Sequence, residues 1–531
     1  MKTRTRKFSM RKLFHSVGAL LLASVLICGF SAGAGAYGGV PETIRIGLYY
    51  ASTAKDSCTV TSTGGIAIHV ANENNSWPVT QDAAVSSVLV KRAAAYHAEL
   101  PNSYPDYESA WQEKTVLRNQ GYPAFTAYRD GTFRVWVGAY PTESEAAQTA
   151  SALGAGVLAP HDKRVLVYAG DNIWMGVQDE SSYLTLEPLD GNLAVEGTAY
   201  RGNIQFMRRD TGDMTVVNVV GFDDYLCGVV PREVTATWSY EAVKAQAVVS
   251  RTFAITNFNK YQKYGFNLDA TTNSQAYAGI KIEHPASNRA VQETHGEVVL
   301  YQGEPAKVYF FASSGGKTGT AEDAWGGGNE PYLVSVEDIY EDPNTATRAR
   351  WEMRFTAQEL KDKLAESGVH IGDITDVKVE YSDSGRAVRT VFCGTEGEKE
   401  YLRENVRWAI GVYSTAFTVS RSGGEQQAAA GNICALDGYN SFTQIAVGGK
   451  TMLLSADGTT GLGGALSILS ADGTRTLEAS SASGGTGDFI FTGRGWGHGV
   501  GMSQWGAKAM AEQGFGYRDI LQFYFTGTEV G

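Results

Sequence analysis

Glu233 is the residue whose neighbours best suit it to acid–base chemistry, in the segment "GVVPREVTATW" at 228–238. Val229, Val230, Pro231, Val234 and Trp238 surround it with mainly apolar side chains, so its carboxyl is expected to lose part of its hydration. Lost hydration disfavours the charged form and raises the pKa, the condition for a general acid at neutral pH. Arg232 acts the other way, although adjacent residues of an extended segment point to opposite sides. A plainer role is open to the same position: a carboxylate that caps or pairs at the entrance of the next helix.

A second stretch with chemical content lies near the C-terminus. "GRGWGHGVGMSQWGA" (493–507) holds six glycines in fifteen residues, with His498, Ser503 and Gln504 set among them. Such glycine density serves tight turns and close backbone approach, as on a surface that lies against a ligand. No second His or Cys stands at ligand spacing from His498, which argues against zinc. The residues around Ser503 lack the G-x-S-x-G elbow of a serine nucleophile.

The elements that must position these groups follow from pattern. "FDDYLCGVV" reads as a buried strand, and a long helix is expected over 239–262, with Ser239 as N-cap and Glu241 against the positive end of its dipole. Its polar residues form two stripes, Lys244 with Arg251 and Gln246 with Ser250 and Asn257. Two stripes point to one face in solvent and one in a cleft, or to two solvated faces.

Composition bounds the rest. The chain has 531 residues, 43% of them apolar, enough for two to four domains with real cores. Residues 1–36 have six basic residues, an apolar run from Val17 to Phe30 and "AGA" ending at Ala36. That order is a secretory signal, expected to be cleaved; an uncleaved N-terminal anchor would be the only membrane attachment. Losing it takes the net charge from −12 to −18. So acidic a chain is a poor nucleic-acid binder. Cys58, Cys227, Cys393 and Cys434 are scattered without a CxxC, so no redox motif is indicated, and Cys227 reads as a small buried thiol.

"ETIRIGLYYAS" (42–52) reads as a strand, with "SCTVTSTGGIAIHVA" as its hairpin partner. Between 84 and 170 the pattern becomes strand, helix, strand, strand, helix, strand, with a hairpin at Asp130-Gly131 and a helix between Thr142 and Gly154. β-rich sequence returns from 178, and 421–488 is poor in charge and rich in Gly and Ser. That stretch reads as an inserted pair of weak hairpins or a flexible loop, with "LSADGT" occurring twice.

The 84–170 segment, around "FRVWVGAYPTESEAAQTASAL", resembles the SPOR domain, a βαββαβ module that binds peptide-free peptidoglycan glycan. Tyr128, Trp136 and Tyr140 could stack on sugar faces there, or alternate into the sheet core. "DDYLCGVVPREVTATWSYEAVKAQAVVSRTFAI", "ATTNSQAYAG", "FFASSGGKTGTAEDAWGGGNEPYL" and "GRGWGHGVGMSQWGAKAMAEQG" together resemble the stage II sporulation protein D family, which includes amidase enhancers.

That resemblance spans about 178–345 and 490–528. It implies an exported lytic transglycosylase acting on peptidoglycan glycan strands, with Glu233 as the catalytic acid. Arg251, Gln275, Tyr277, Ser313, Ser314, His498, Ser503 and Gln504 are then candidates for binding substrate. Some sporulation members hold structural zinc near the "SSGG" strand; here "VYFFASSGGKTG" carries Phe310 and Phe311 instead, so no metal or other cofactor is expected. The alternative role is a non-catalytic enhancer that works with a cell-wall amidase. The expected architecture is α+β, with antiparallel sheets around the 239–262 helix. Residues 41–83 and 178–531 would form one main domain carrying two insertions, the SPOR-like module at 84–170 and the stretch 421–488.

Overall fold

The computed structural model describes residues 37–531 apart from 72–75, 80–84, 209–211, 329 and most of 423–486. The expected signal at 1–36 lies outside the described residues.

The fold is mixed α/β, dominated by antiparallel pairing. The strand expected at 42–52 forms at Thr43–Tyr49, but its partner is Met214–Gly221 and not the strand that follows it. Ser57–Ala71 pairs instead with Tyr183–Pro188 and Val85–Arg92. Alternation explains why the partner was not legible. Ile44 and Ile46 are fully buried, and any strand with one apolar face satisfies them.

The same sheet runs on without a break into the 84–170 segment. Val85–Arg92 bridges Ser57–Ala71 and Arg164–Ala169, so the first strand expected for the module belongs to the connecting part of the sheet. The order strand, helix, strand, strand, helix, strand is found one strand later: Tyr96–Glu99, Tyr107–Asn119, Ala124–Arg129, Thr132–Tyr140, Glu143–Leu153 and Gly156–Leu158. Asp130 and Gly131 both take positive φ, as a two-residue hairpin turn requires. Thr142 caps the second helix through the Glu145 N–H, and Gly154 ends it at φ 61°. Trp136 and Tyr128 are core residues, and the Tyr140 hydroxyl meets Thr149. Stacking on sugar is therefore not open to the first two rings.

"FDDYLCGVV" is not a strand. Gly221 is the N-cap of a helix, and Phe222–Cys227 and Val230–Glu233 are two short helices. Asp223 and Asp224 in the first turn and Pro231 at a helix start favour that outcome over an extended run. Apolar runs this short do not discriminate strand from helix.

The central helix runs Tyr240–Thr256, six residues short of the expected end, because Asn257 accepts the C-cap position. It lies between two cores, so its polar stripes are largely internal, with Lys244 and Asn257 keeping partial exposure. Val243, Ala247 and Ala254 pack into the large sheet core. Ala245, Val248 and Val249 pack against the C-terminal elements, with Met502, Ala507, Met510 and Ile520. Gln246, Ser250 and Arg251 are fully buried between them.

A third core lies in 350–421 with 489–494. The strands Arg350–Phe355, Phe489–Arg494 and Phe417–Arg421 form its sheet, and the helices Ala357–Glu366 and Asn405–Ile410 cover it. Its middle strand leads straight into the glycine-rich motif. The described residues within 423–486 form three antiparallel strand pairs.

Candidate functional site

Glu233 ends the short helix Val230–Glu233 and is half-buried. Burial pushes its carboxyl up to about 7; a backbone hydrogen bond from Ala276 and the Arg232 charge pull the other way without cancelling it. Arg232 itself is exposed. The fully buried phenol of Tyr225 lies close enough for Glu233 to add to the rise of its pKa, behind burial and Tyr277.

The wall behind this corner is aromatic. Tyr225 and Tyr277 pack with ring centroids 5.2 Å apart, and Tyr200 adds a third ring 5.7 Å from Tyr277. Gly228, in the joint between the two short helices, lies directly under Tyr277: a Cβ there would sit 2.5 Å from the ring. This is the close approach that the glycine permits.

Of the other residues singled out, Gln275 is next to the residue that bonds Glu233. Its side-chain oxygen accepts the Tyr225 hydroxyl at 3.2 Å, and its amide nitrogen has no partner among the described residues. Tyr277 donates to Asn218 Oδ1 at 2.9 Å. Arg251 is fully buried, paired with Asp223 at 3.0 Å and donating to the carbonyls of Val291 and Glu297. It ties the central helix to the helices before and after it.

Ser313, Ser314 and Ser503 converge elsewhere, on a carboxylate that sequence reasoning passed over. Glu341, almost fully buried, accepts from the Ser313 hydroxyl (2.5 Å), the Ser314 N–H (2.7 Å) and hydroxyl (3.0 Å), the Gly315 N–H (2.9 Å) and the Ser503 hydroxyl (2.8 Å). Asp338 stands beside it, bonded to Ser314 and Tyr524; burial, helped by the Glu341 charge, pushes it up to about 6. Nothing in the spacing of "SVEDIYEDP" marks two of its four acids as internal.

His498 belongs to a third setting. Its ring packs among Phe311, Trp325 and Tyr309, and its Nδ1 accepts the Val500 N–H at 3.1 Å. Burial, then the charges of Arg407 and Arg386, push it down to about 3, so the imidazole is neutral at physiological pH. Its neighbours are not those of Glu233. The glycine beside it, Gly499 (φ +82°), makes room for the protein's own Arg386 guanidinium, 2.2 Å from where a Cβ would be.

Two contacts nevertheless join the Glu233 region to the C-terminal motif. Trp238 packs on Trp505 with centroids 5.1 Å apart, and Gln504 Nε2 donates to Gln246 Oε1 at 3.3 Å across 258 positions of sequence. A surface cavity of about 510 Å³ is lined by Ser367, Tyr401, Asn405 and Trp408 among others, in the third core region, and shares no residue with either carboxylate corner.

The fold and this arrangement define a mixed α/β protein with an apolar-walled acid at the entrance of its central helix. A family model described as Stage II sporulation protein matches residues 210–301, which include Glu233 and the whole central helix. The chain is similar to an uncharacterized protein of Brachyspira hyodysenteriae, 29% identical over 364 residues (67% of this chain, 78% of that one). It is similar to Amidase enhancer of Bacillus subtilis, 30% identical over 308 residues (57% of this chain, 40% of that one). With Stage II sporulation protein D of Bacillus subtilis it shares 27% identity over 336 residues (60% and 77%). The family-model match and the names of these relatives support kinship with the stage II sporulation protein D and amidase-enhancer family. It spans two-fifths of the length of the amidase enhancer it matches.

Proposed function

We propose that this chain is an exported lytic transglycosylase that cuts peptidoglycan glycan strands, preferably peptide-free, in cell-wall remodelling or sporulation. The observation that carries the reading is the Glu233 carboxyl, held at about 7 by burial against apolar walls. Such a group is protonated often enough to give a proton and ionised easily enough to take one back.

Protonated Glu233 donates to the glycosidic oxygen as the bond to the muramic-acid anomeric carbon breaks through an oxocarbenium-like state. The carboxylate so formed takes the proton of the C6 hydroxyl of the same sugar, whose oxygen closes on the anomeric carbon. The products are a free hydroxyl on the leaving strand and a 1,6-anhydro ring, and Glu233 ends protonated as it began. No water enters, so a second carboxylate to activate it is unnecessary. The 84–170 segment, as a SPOR-like module, would hold the strand through surfaces other than Trp136 and Tyr128.

The similarity to an amidase enhancer favours a second reading: a protein that binds peptidoglycan and stimulates a cell-wall amidase, with Glu233 as a helix-entrance carboxylate. Digestion of peptide-stripped glycan followed by mass spectrometry separates them. The first reading expects 1,6-anhydro ends from the wild type and a loss of about 10²–10⁴-fold in Glu233→Gln. Anhydro ends that persist in the variant contradict it.

A further inference from the structure

Arg348 takes a left-handed backbone conformation, φ 59°, unusual for any residue but glycine. Strain of this kind persists where the surroundings over-determine the conformation. Its guanidinium lies 3.8 Å from the Tyr413 ring centroid and 4.3 Å from that of Trp496.

Three distant segments build this clamp. The Gly495 N–H donates to the Ala349 carbonyl (3.0 Å), the Gly497 N–H to the Tyr413 carbonyl (3.0 Å), and Trp496 exchanges two backbone bonds with Ser313. Trp351 Nε1 donates to the Gly495 carbonyl at 2.9 Å, fixing the loop from below. The rings are thus positioned by backbone, not by chance contact.

Stacking uses the faces of a guanidinium and leaves its N–H groups, which lie in the plane, for an acceptor. Among the described residues no acceptor bonds them, and Arg348 is partly exposed. The acids nearest in sequence are engaged elsewhere: Glu341 by its three serines and Gly315, Asp342 by Asn344. A planar fork of this kind matches a carboxylate in two-point geometry. In a chain of net charge −12, general attraction would not hold an anion, so binding here depends on the fork itself.

We propose that Arg348, clamped between Tyr413 and Trp496, is a specificity-determining residue that binds the free lactyl carboxylate of muramic acid. The assignment rests on the glycan reading above and adds to it a reason for preferring stripped strands. In a strand that bears peptides that carboxyl is an amide without charge; once the peptide is gone it is an anion on every second sugar. Trp496, 37% exposed, offers its rim to the same sugar.

The test is isothermal titration of the full chain carrying Glu233→Gln, so that no strand is cut. The titrants are a peptide-free tetrasaccharide of alternating N-acetylglucosamine and N-acetylmuramic acid, and an N-acetylglucosamine tetramer, which has no carboxylate. With Arg348 present, the acidic sugar is expected to bind about tenfold or more tightly over the neutral one. Arg348→Gln is expected to bring the two affinities within about twofold, and Arg348→Lys, which keeps the charge without the fork, to recover only part of the preference. A preference that survives in Arg348→Gln overturns the assignment, as does an equal fall in both affinities, which would make the residue structural. If Arg348→Gln does not fold by thermal melt, Arg348→Lys decides alone: an undiminished preference overturns the proposal. Equal binding of both sugars before substitution overturns only Arg348; binding of neither overturns the glycan reading as well.

Discussion

Glu233 and Glu341 are both withdrawn from water, yet their surroundings treat them in opposite ways. Five hydrogen bonds reach Glu341, from two backbone N–H groups and three serine hydroxyls. Glu233 receives one backbone bond, and burial against apolar side chains dominates. A buried carboxylate with its lone pairs filled is a fixed anchor, and one left nearly bare is a proton holder. Donor number, more than depth, separates a carboxylate that builds the fold from one that can do chemistry.

The comparison is broken most forcefully at the anchor. Glu341→Ala leaves the Ser313 and Ser503 hydroxyls and two N–H groups without their acceptor and is expected to cost about 3–5 kcal/mol in chemical denaturation. A cost near that of an average surface substitution would show that the serines find other partners.

Glu233 is expected to behave in the reverse sense. Its carboxyl is raised from 4.5 to about 7 in the folded chain. Below pH 4 both states are protonated and the group is neutral to stability. As pH rises to about 7 the unfolded chain ionises first, so stability falls, and the loss is complete above that. Glu233→Gln cannot ionise, so it should gain on the wild type by on the order of 3 kcal/mol between pH 4 and pH 8. Unfolding free energies of both proteins at the two values check this, and a difference that does not move with pH refutes it. The smallest effect concerns how the two regions are joined: a double-mutant cycle on Trp238→Ala and Trp505→Ala should give a coupling of about 1 kcal/mol.

Much of this was legible in the sequence, and the reasons for the remainder are specific. Thr142, Gly154 and the Asp130-Gly131 turn declared their elements because caps and tight turns depend on one or two residue types. Glu233 stood out because a carboxylate among valines is chemically odd at any depth. The strand partner of Thr43–Tyr49 did not, since one apolar face fits many others. Nor did the helices at 222–233, whose apolar run suits both periodicities. Ser313, Ser314 and Ser503 were singled out as candidates for binding substrate, but nothing in the sequence pointed to Glu341, the acceptor they share. The glycines of 493–507 were read as making way for a ligand, and at Gly499 they make way for Arg386. Sequence shows that a close approach occurs without showing what approaches.

The central claim is that the Glu233 carboxyl keeps its proton near neutrality. Carbon-detected NMR titration of glutamate-labelled protein, with Glu233→Gln to assign the resonance, reads it directly. The account predicts a carboxyl carbon that titrates at about 7 in the wild type and is missing from the variant. A Glu233 resonance that titrates in the ordinary range near 4.5 would contradict it.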